Sequence, residues 1–223
     1  MRKLEIIAAT VEDAVQAQAG GASSLELVQN LAVGGLTPSL ELVKAIRDVV
    51  SIHLRVILRP HAASFVYSSA DVELMLRDID ALKQIGVEGI VFGALHGDNT
   101  VDLDLTAHIA RAAHPLELTF HRAIDVSQNA DTTLPLLKGI VQRILTSGQA
   151  YNVWDGRGKL NEWIKQYGQD FIIACGGGIR IEQLDEMVQV INAPEYHLGS
   201  AVQTNQVVDS AKVRRVLEII NSI

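Results

Sequence analysis

Ser24-Leu25-Glu26-Leu27-Val28 is one of eight short apolar segments that recur along the chain and decide its fold. The eight segments are Leu4–Ala8, Ser24–Val28, Leu54–Leu58, Gly89–Gly93, Leu116–Phe120, Gln142–Thr146, Phe171–Cys175 and Glu195–Gly199. A stretch with helical spacing follows each segment, and this alternation predicts a parallel sheet covered by helices. Eight such units in 223 residues predict a single α/β domain over residues 1–223, a closed (β/α)8 barrel.

The helical stretches give the predicted barrel its outer layer. They are Val11–Ala19, Ser39–Val50, Ala70–Ile85, Asp102–Ala113, Ala130–Gly139, Gly158–Tyr167, Ile181–Ile191 and Val207–Ile220. In such a barrel the chemistry lies at the carboxyl ends of the strands and in the loops that follow them. The loops Gln29–Pro38 and Arg59–Ser69 are the longest, which makes them the first places to look for function.

Composition narrows the class of protein. The chain is 48% hydrophobic, which is enough for one packed core, and it contains no apolar run long enough to predict a membrane span. A net charge of −7 with no basic stripe argues against binding of nucleic acid. The single cysteine, Cys175, and the lack of a signal-peptide pattern predict a cytoplasmic protein.

Alternation along the strands predicts which side chains enter the barrel. Leu25 and Leu27 must meet the helices, so Glu26 between them points inward. The same argument assigns a polar interior to the barrel, formed by Glu5, Glu26, Arg55, Arg59, Glu117, His121, Glu195 and His197. Buried charges are costly unless they are paired, so an ion-pair network that only fixes the barrel is one interpretation. A ligand site at the strand ends is the other.

Five residues near the strand ends are candidates for catalysis: Glu26, Arg59, His121, Arg122 and Asp125. His121 is suited to act as a general acid or base at this place. Glu26 is suited either to act as a base or to hold the tautomer of the histidine. Arg59 or Arg122 is suited to a bidentate contact with a carboxylate or phosphate. The alternative for Arg122 and Asp125 is a local salt bridge that shapes the loop.

Glycines after the last two strands predict an anion site. Backbone N–H groups bind phosphate closely where no Cβ intervenes, and the loops after strands seven and eight do this in many barrels. The predicted anion-binding residues are Thr146, Ser147, Gly176, Gly177, Gly178, Gly199 and Ser200. The alternative is that the glycines only allow tight turns from strand to helix.

Several motifs occur in order along nearly the whole chain. They include Gly34-Gly35-Leu36-Thr37-Pro38-Ser39, Arg59-Pro60, Phe65-Val66-Tyr67-Ser68, Thr119-Phe120-His121-Arg122-Ala123, Leu145-Thr146-Ser147-Gly148 and Gly176-Gly177-Gly178-Ile179. The ordered set resembles the CutC family, which is named for copper homeostasis. The resemblance implies a TIM barrel, a cytoplasmic location, and copper binding or copper handling as the function, with copper as the implied ligand.

The residues at the implied copper site differ from those tied to copper in the family. The positions that match the family's cysteines are Ile7 and Val28, neither of which ligates a metal, so Cu(I) binding is not expected there. His121 and His197 are the predicted metal ligands, for a harder divalent ion beside Glu26.

Three functions remain open from the sequence. The first is a cytoplasmic copper-handling protein; the second is a lyase or isomerase that acts on a small anionic or phosphorylated metabolite. The third is a scaffold whose ancestral activity has decayed. A small anionic ligand or a metal ion is the expected partner, and exposed barrel helices suit a homodimer.

Overall fold

Eight strands close into the predicted parallel barrel in the computed structural model, which describes residues 1–222. Each strand pairs with the next along the chain, and the eighth pairs with the first. The strands are β1 (Lys3–Ala8), β2 (Ser24–Leu27), β3 (His53–Ile57), β4 (Gly89–Phe92), β5 (Glu117–Phe120), β6 (Arg143–Thr146), β7 (Ile172–Gly176) and β8 (Glu195–Leu198). The architecture is a single (β/α)8 TIM barrel.

An α-helix follows each strand within the described residues. The helices are α1 (Val11–Ala19), α2 (Leu40–Arg47), α3 (Ser69–Ile85), α4 (Leu103–Ala113), α5 (Ala130–Thr133), α6 (Arg157–Tyr167), α7 (Leu184–Val190) and α8 (Ser210–Ile220). Five of them begin after a residue whose side chain accepts a backbone N–H three positions ahead, namely Thr10, Ser39, Ser68, Asp102 and Asp209. No helix within residues 1–222 is both long and apolar enough to cross a lipid bilayer.

Four predicted helices have bounds that differ by three residues or more, and the first of them, Ser39–Val50, ends at Arg47. Pro135 lacks a backbone N–H, and the stretch Ala130–Gly139 is an α-helix only to Thr133, followed by a 3-10 turn over Leu134–Leu137. The stretch predicted from Ile181 begins with a 3-10 turn before α7. Val207–Val208 forms a short strand, β10, paired with β9 (Gln203–Thr204), so the last helix begins at Ser210.

The predicted inside–outside alternation is confirmed by two separate hydrophobic clusters. The larger cluster lies between the sheet and the helices and contains Leu25, Leu27 and their equivalents on the other strands. A smaller cluster consists of Val28, Ile57 and Val91, with partly buried Ile7, Ala9 and Leu31 packed against it. Ile57 is assigned inward by the same alternation as Arg55 and Arg59. The interior therefore has an apolar part in addition to its charged part.

Candidate functional site

Charged side chains fill the inside of the barrel, as the strand alternation predicts. We call them the inner charge cluster: Glu5, Glu26, Arg55, Arg143, Glu195 and His197, all of which are buried. Nη2 of Arg143 lies 2.7 Å from Oε1 of Glu195. Arg143 is not in the predicted inward set; with Arg55 it is the second buried arginine beside the three glutamates of the cluster.

Glu5 is the centre of the cluster. Oε1 accepts from Nη1 of Arg55 at 2.8 Å and from the Ser24 hydroxyl at 3.2 Å. Oε2 accepts from Nη2 of Arg143 and lies 2.8 Å from Nδ1 of His197. Burial raises the pKa of the Glu5 carboxyl, but Arg143, His197 and Arg55 outweigh burial and hold the pKa well below its usual range. Glu5 is therefore a carboxylate, and Nδ1 of His197 carries a proton.

Nε2, the other ring nitrogen of His197, faces the carboxyl group of Glu26, whose pKa is shifted in the opposite direction from that of Glu5. Nε2 of His197 lies 3.1 Å from Oε2 of Glu26. Burial raises the pKa of Glu26 and is the largest effect. The proximity of His197 lowers this pKa and the charge of Glu5 raises it, so that the pKa lies above its usual value. A carboxyl with a raised pKa beside an imidazole suits proton transfer near neutral pH. Nε2 of His197 and Oε2 of Glu26 are within hydrogen-bond distance, so a proton can pass directly between the two side chains.

A cavity of about 1270 Å³ opens at the carboxyl ends of the strands, and we call it the carboxyl-end pocket. It is lined by most of the predicted site residues: Glu26, Arg59, His121, Arg122, Asp125, Gly177, Gly178, His197, Gly199 and Ser200. Thr146, Ser147 and Gly176 are not among the lining residues. Ile7, Val28 and Ile57 add an aliphatic wall.

Asp125 binds the loop after β6 to the turn after β5. Its oxygens accept from Nε of Arg122 at 2.9 Å, from the backbone N–H and hydroxyl of Ser147, and from the N–H of Gln149 at 3.1 Å. The Thr146 hydroxyl donates to the same carboxylate. The geometry favours the local salt bridge, one of the two interpretations of Arg122 and Asp125. It also explains why Thr146 and Ser147 lie outside the pocket lining.

Arg122 is held in place at the pocket while part of it stays accessible. Nη2 donates to the Ser147 hydroxyl at 3.0 Å, and the guanidinium lies so close to Gly177 that a Cβ there would be 2.6 Å from Cζ. The side chain is 41% exposed, and within residues 1–222 its Nη1 donates to no protein acceptor. A positioned cation of this kind is suited to an anionic ligand.

The glycine loops lie beside this cation. Gly177 and Gly178 have φ values of +112° and +66°, which favour glycine, and with Gly199 and Ser200 they line the pocket. Gly176 instead packs against His197, and a Cβ added to Gly176 would lie 3.1 Å from Cβ of His197. The geometry is compatible with an anion site at the four lining residues, which stays a prediction.

His121 has a different chemical state from the predicted acid or base. Its Nδ1 accepts the N–H of Ala123 at 3.2 Å, so the ring proton is on Nε2. Burial lowers the pKa of His121, and the charges of Arg59 and Arg122 contribute to a value of about 3. A Cβ on Gly93 would lie 2.5 Å from Nδ1, so glycine is needed where the ring packs. The imidazole is neutral at physiological pH, and its Nε2–H group has no acceptor within residues 1–222.

Comparison with known proteins identifies the family. The chain matches the CutC family over residues 2–202. It is 33% identical over 215 residues to a family protein CutC of Glaesserella parasuis serovar 5, covering 96% of this chain and 88% of that protein. The chain belongs to the CutC family. A copper homeostasis protein cutC homolog of Drosophila melanogaster is 35% identical to this CutC chain, covering 91% of it and 78% of the relative.

Solved structures agree with the CutC assignment. A CutC from Streptococcus agalactiae superimposes with a TM-score of 0.84 at 25% identity, covering 91% of this chain and 100% of that one. The phosphoribosyl anthranilate isomerase of Thermotoga maritima superimposes over 100% of both chains with a TM-score of 0.69 at 14% identity. The second likeness concerns the barrel fold alone.

The donor atoms of this CutC chain do not fit Cu(I). Within residues 1–222, the one group of three suitable ligands is Glu5, Glu26 and His197, and His121 does not belong to it. Glu5 already accepts from four donors, which leaves Glu26 and Nε2 of His197. Burial, with a smaller contribution from the Asp125 charge, raises the pKa of Cys175, so the chain offers no thiolate.

Three residues that matter at the site were not selected from the sequence: Glu5, Arg143 and Phe65. Glu5 is in the predicted inward set, and its position opposite His197 in the β1–β8 register was the available signal. Arg143 follows the same alternation, since Ile144 after it packs outward. Phe65 lies 4.9 Å from His121 between ring centroids, a contact that no sequence spacing indicates.

Proposed function

We propose that this CutC chain is an enzyme that binds a small anionic metabolite in the carboxyl-end pocket and moves a proton on it, as an isomerase or lyase. The observation that carries the proposal is the pair formed by Glu26 and His197, 3.1 Å apart and lining the pocket. The raised pKa of Glu26 makes its carboxylate a stronger base than an exposed one. We also propose that the chain works in the cytoplasm, as its single cysteine suggests.

The anionic group of the metabolite would bind at Arg122 and at the loops of Gly177, Gly178, Gly199 and Ser200. The guanidinium supplies charge, and the glycine backbone lets N–H groups approach an oxygen closely. Asp125 contributes indirectly, because it holds Arg122 in place.

Glu26 would take a proton from a carbon next to a carbonyl group of the bound metabolite. Return of that proton to the former carbonyl carbon, while the proton of the adjacent hydroxyl passes to the carbonyl oxygen, completes an isomerisation. In an elimination the leaving group departs with its electron pair from the carbon on the other side, and the proton stays on Glu26. His197 shares the proton with Glu26, and Glu5 keeps the imidazole oriented through Nδ1. His121 does not act as a base here, since its pKa of about 3 leaves Nε2 protonated and Nδ1 occupied.

Proton exchange tests the proposal directly. The protein is incubated in deuterated buffer with a set of phosphorylated and carboxylated oxo-metabolites, and NMR follows replacement of C–H by C–D. We expect exchange for at least one compound in the wild type and at least a hundredfold loss of rate, roughly that of a removed general base, in Glu26→Gln. Glu73→Gln on the exposed face of α3 is the control and should leave exchange unchanged. Exchange that survives in Glu26→Gln would contradict the assignment.

Copper handling is the second candidate function. The names of the relatives favour it, together with the proximity of Glu26 and His197 in the group described above. Nitrogen and oxygen donors suit Cu(II) better than Cu(I). Calorimetry with Cu(II), and with Cu(I) under reducing conditions, tests it. Binding of Cu(II) that weakens at least tenfold in His197→Phe supports this candidate, and equal binding by the variant rejects it.

A further inference from the structure

Arg59 is a buried cation with no carboxylate beside it. It follows β3, its side chain lines the carboxyl-end pocket, and the residue is 8% exposed. Within residues 1–222, no Asp or Glu oxygen lies within 4.0 Å of its guanidinium, whereas Arg55, Arg122 and Arg143 all have such partners. An unpaired charge out of contact with water is unfavourable, so a counter-ion from outside the chain is expected.

The existing contacts of Arg59 leave donors free. Nη1 donates to the carbonyl oxygens of Val33 at 2.8 Å and Gly35 at 3.0 Å, which orient the guanidinium. Nη2 reaches only the Ala62 carbonyl, at the long distance of 3.5 Å. Nε is buried and has no partner among the described residues. The Phe65 ring covers one face, 5.0 Å from Cζ, so the side chain is fixed although its charge is not neutralised.

His121 supplies a second unpartnered donor at the same wall. Its ring packs against Phe65, and Nε2, which carries the proton, is buried with no hydrogen-bond partner among residues 1–222. The residue is 5% exposed and lines the pocket. Arg59 therefore offers a charged N–H group at Nε, and His121 offers a neutral one at Nε2. Neither group has a hydrogen-bond acceptor within residues 1–222.

This wall is separate from the anion site of the proposed function. Arg59 follows β3, whereas Gly177 and Gly178 follow β7, and in the ring of eight strands three strands lie between β3 and β7 on either side. Arg122, which lies over Gly177, pairs with Asp125 through Nε, and its Nη1 donates to no acceptor within residues 1–222. The pocket therefore offers two groups of N–H donors, one around Arg59 after β3 and one at the glycine loop after β7, with Glu26 and His197 on β2 and β8 between them.

We propose that the ligand carries two separate anionic groups, and that a carboxylate binds Arg59 and His121 while a phosphate binds Arg122 and the glycine loops. The inference rests on the proposed function and assigns its substrate class: a phosphorylated carboxylic acid. The planar guanidinium suits the carboxylate, and the glycine backbone suits the phosphate. The aliphatic wall of Ile7, Val28 and Ile57 contacts the carbon skeleton between them.

Matched pairs of probes test the two-headed ligand. Calorimetry compares phosphoglycolate, phosphoglycerate and phosphogluconate with hydroxyethyl phosphate, glycerol phosphate and sorbitol phosphate, in which an alcohol replaces the carboxylate. We expect at least one acid to bind the wild type about tenfold more tightly than its matched alcohol, the gain of a charge-assisted hydrogen bond. Arg59→Gln should abolish this preference and leave the affinity for the alcohol within about twofold. Arg215→Gln, on the exposed face of α8, should retain it.

Each outcome decides the inference. No preference in any pair, no binding of any probe, or a preference that survives in Arg59→Gln would overturn it. If Arg59→Gln does not fold, His121→Phe keeps the packing against Phe65 and removes the Nε2 donor. That variant should reduce the preference at least threefold, and an unchanged preference would equally overturn the inference. A preference that depends on Arg59, without deuterium exchange, would support the ligand class and reject the proposed enzymatic reaction.

Discussion

The imidazole of His197 bridges two carboxyl groups, with Nε2 3.1 Å from Glu26 and Nδ1 2.8 Å from Glu5. The pKa of Glu5 is held well below its usual range by the cations beside it, whereas burial raises the pKa of Glu26. The difference follows from the neighbours, since both arginines of the cluster contact Glu5 directly and neither hydrogen-bonds to Glu26. Glu5 therefore lies at the centre of the ion-pair network, whereas Glu26 lines the carboxyl-end pocket.

Glu26→Gln is expected to stabilise the protein at neutral pH by about 1 kcal/mol. The raised pKa means that the folded state disfavours the ionised carboxyl. The contribution of Glu26 to stability is thus fully present below the pKa of the unfolded chain and is lost as pH rises through the folded value. Urea unfolding at acidic and neutral pH measures this. The amount by which the free energy of unfolding of Glu26→Gln exceeds that of the wild type should be larger at neutral pH than at acidic pH.

The exposed Glu73 on α3 is the control for this measurement. Glu73→Gln should unfold like the wild type at both pH values, because an exposed carboxyl is not desolvated on folding. A wild type that is more stable than Glu26→Gln at neutral pH would show that Glu26 is a structural member of the ion-pair network.

Glu5→Gln is expected to destabilise the fold by about 3–5 kcal/mol at neutral pH. The change leaves Arg55, Arg143 and His197 without the carboxylate that they share. Because the pKa of Glu5 is lowered in the folded state, its stabilisation is present above the unfolded pKa and is lost as pH falls through the folded value. Urea unfolding should therefore show the gap between wild type and variant narrowing in acid.

Glu117→Gln is the matched control, since Glu117 also pairs with Arg55, at 3.1 Å. Its side chain is 44% exposed, and Arg55 would keep its bond to Glu5. The loss should be below about 1 kcal/mol, as for exposed ion pairs. Equal losses for the two variants would show that Glu5 is not the centre of the cluster.

Strand alternation is sufficient to predict much of this site. An acidic residue flanked by two leucines, as Glu26 is, has one orientation in a barrel strand that packs against helices. Glu26 and His197 lie on β2 and β8, and Arg55 and Glu5 lie on β3 and β1, so each contact joins two strands that are separated by one strand and meet in the barrel interior. The ion-pair network can therefore be predicted from the order of the strands in the barrel, and in an α/β barrel this order is the order of the strands in the sequence.

The chemical states of individual residues could not be predicted in the same way. His121 is neutral because Phe65 and the neighbouring arginines surround it, and the loop that carries Phe65 has no periodic pattern. The carboxylate oxygens of Asp125 already accept hydrogen bonds from the backbone N–H groups of Ser147 and Gln149, which lie more than twenty residues later in the chain. Such contacts arise between loops, where neither alternation nor helical spacing constrains the chain.

His121 is expected to make the protein less stable in mild acid. The unfolded histidine takes up a proton near pH 6.5, whereas the folded one resists protonation down to a pKa of about 3. Stability is thus present above the unfolded pKa and falls as pH drops toward the folded value. Between neutral pH and about pH 5, the wild type should lose roughly 2 kcal/mol more than His121→Phe, measured by urea unfolding.

The tautomer of His121 supplies an independent check. Nitrogen NMR of the imidazole should show protonated Nε2 and unprotonated Nδ1 across this pH range, because Nδ1 accepts from Ala123. Parallel stability curves for wild type and His121→Phe, or a His121 resonance that titrates above pH 5, would contradict the neutral-donor assignment.

Gly177→Ala is expected to destabilise the protein by about 1–3 kcal/mol and to weaken phosphate binding. The φ of +112° is unfavourable for alanine, and the new Cβ would lie 2.6 Å from Cζ of Arg122, which must then leave Asp125. Thermal unfolding and calorimetry with inorganic phosphate measure the two effects. Gly158→Ala is the control, because no atom lies within 4 Å of its Cβ position in α6, and it should stabilise slightly without changing phosphate binding. Unaltered phosphate affinity in Gly177→Ala would mean that the anion does not bind where Arg122 meets the glycine loop.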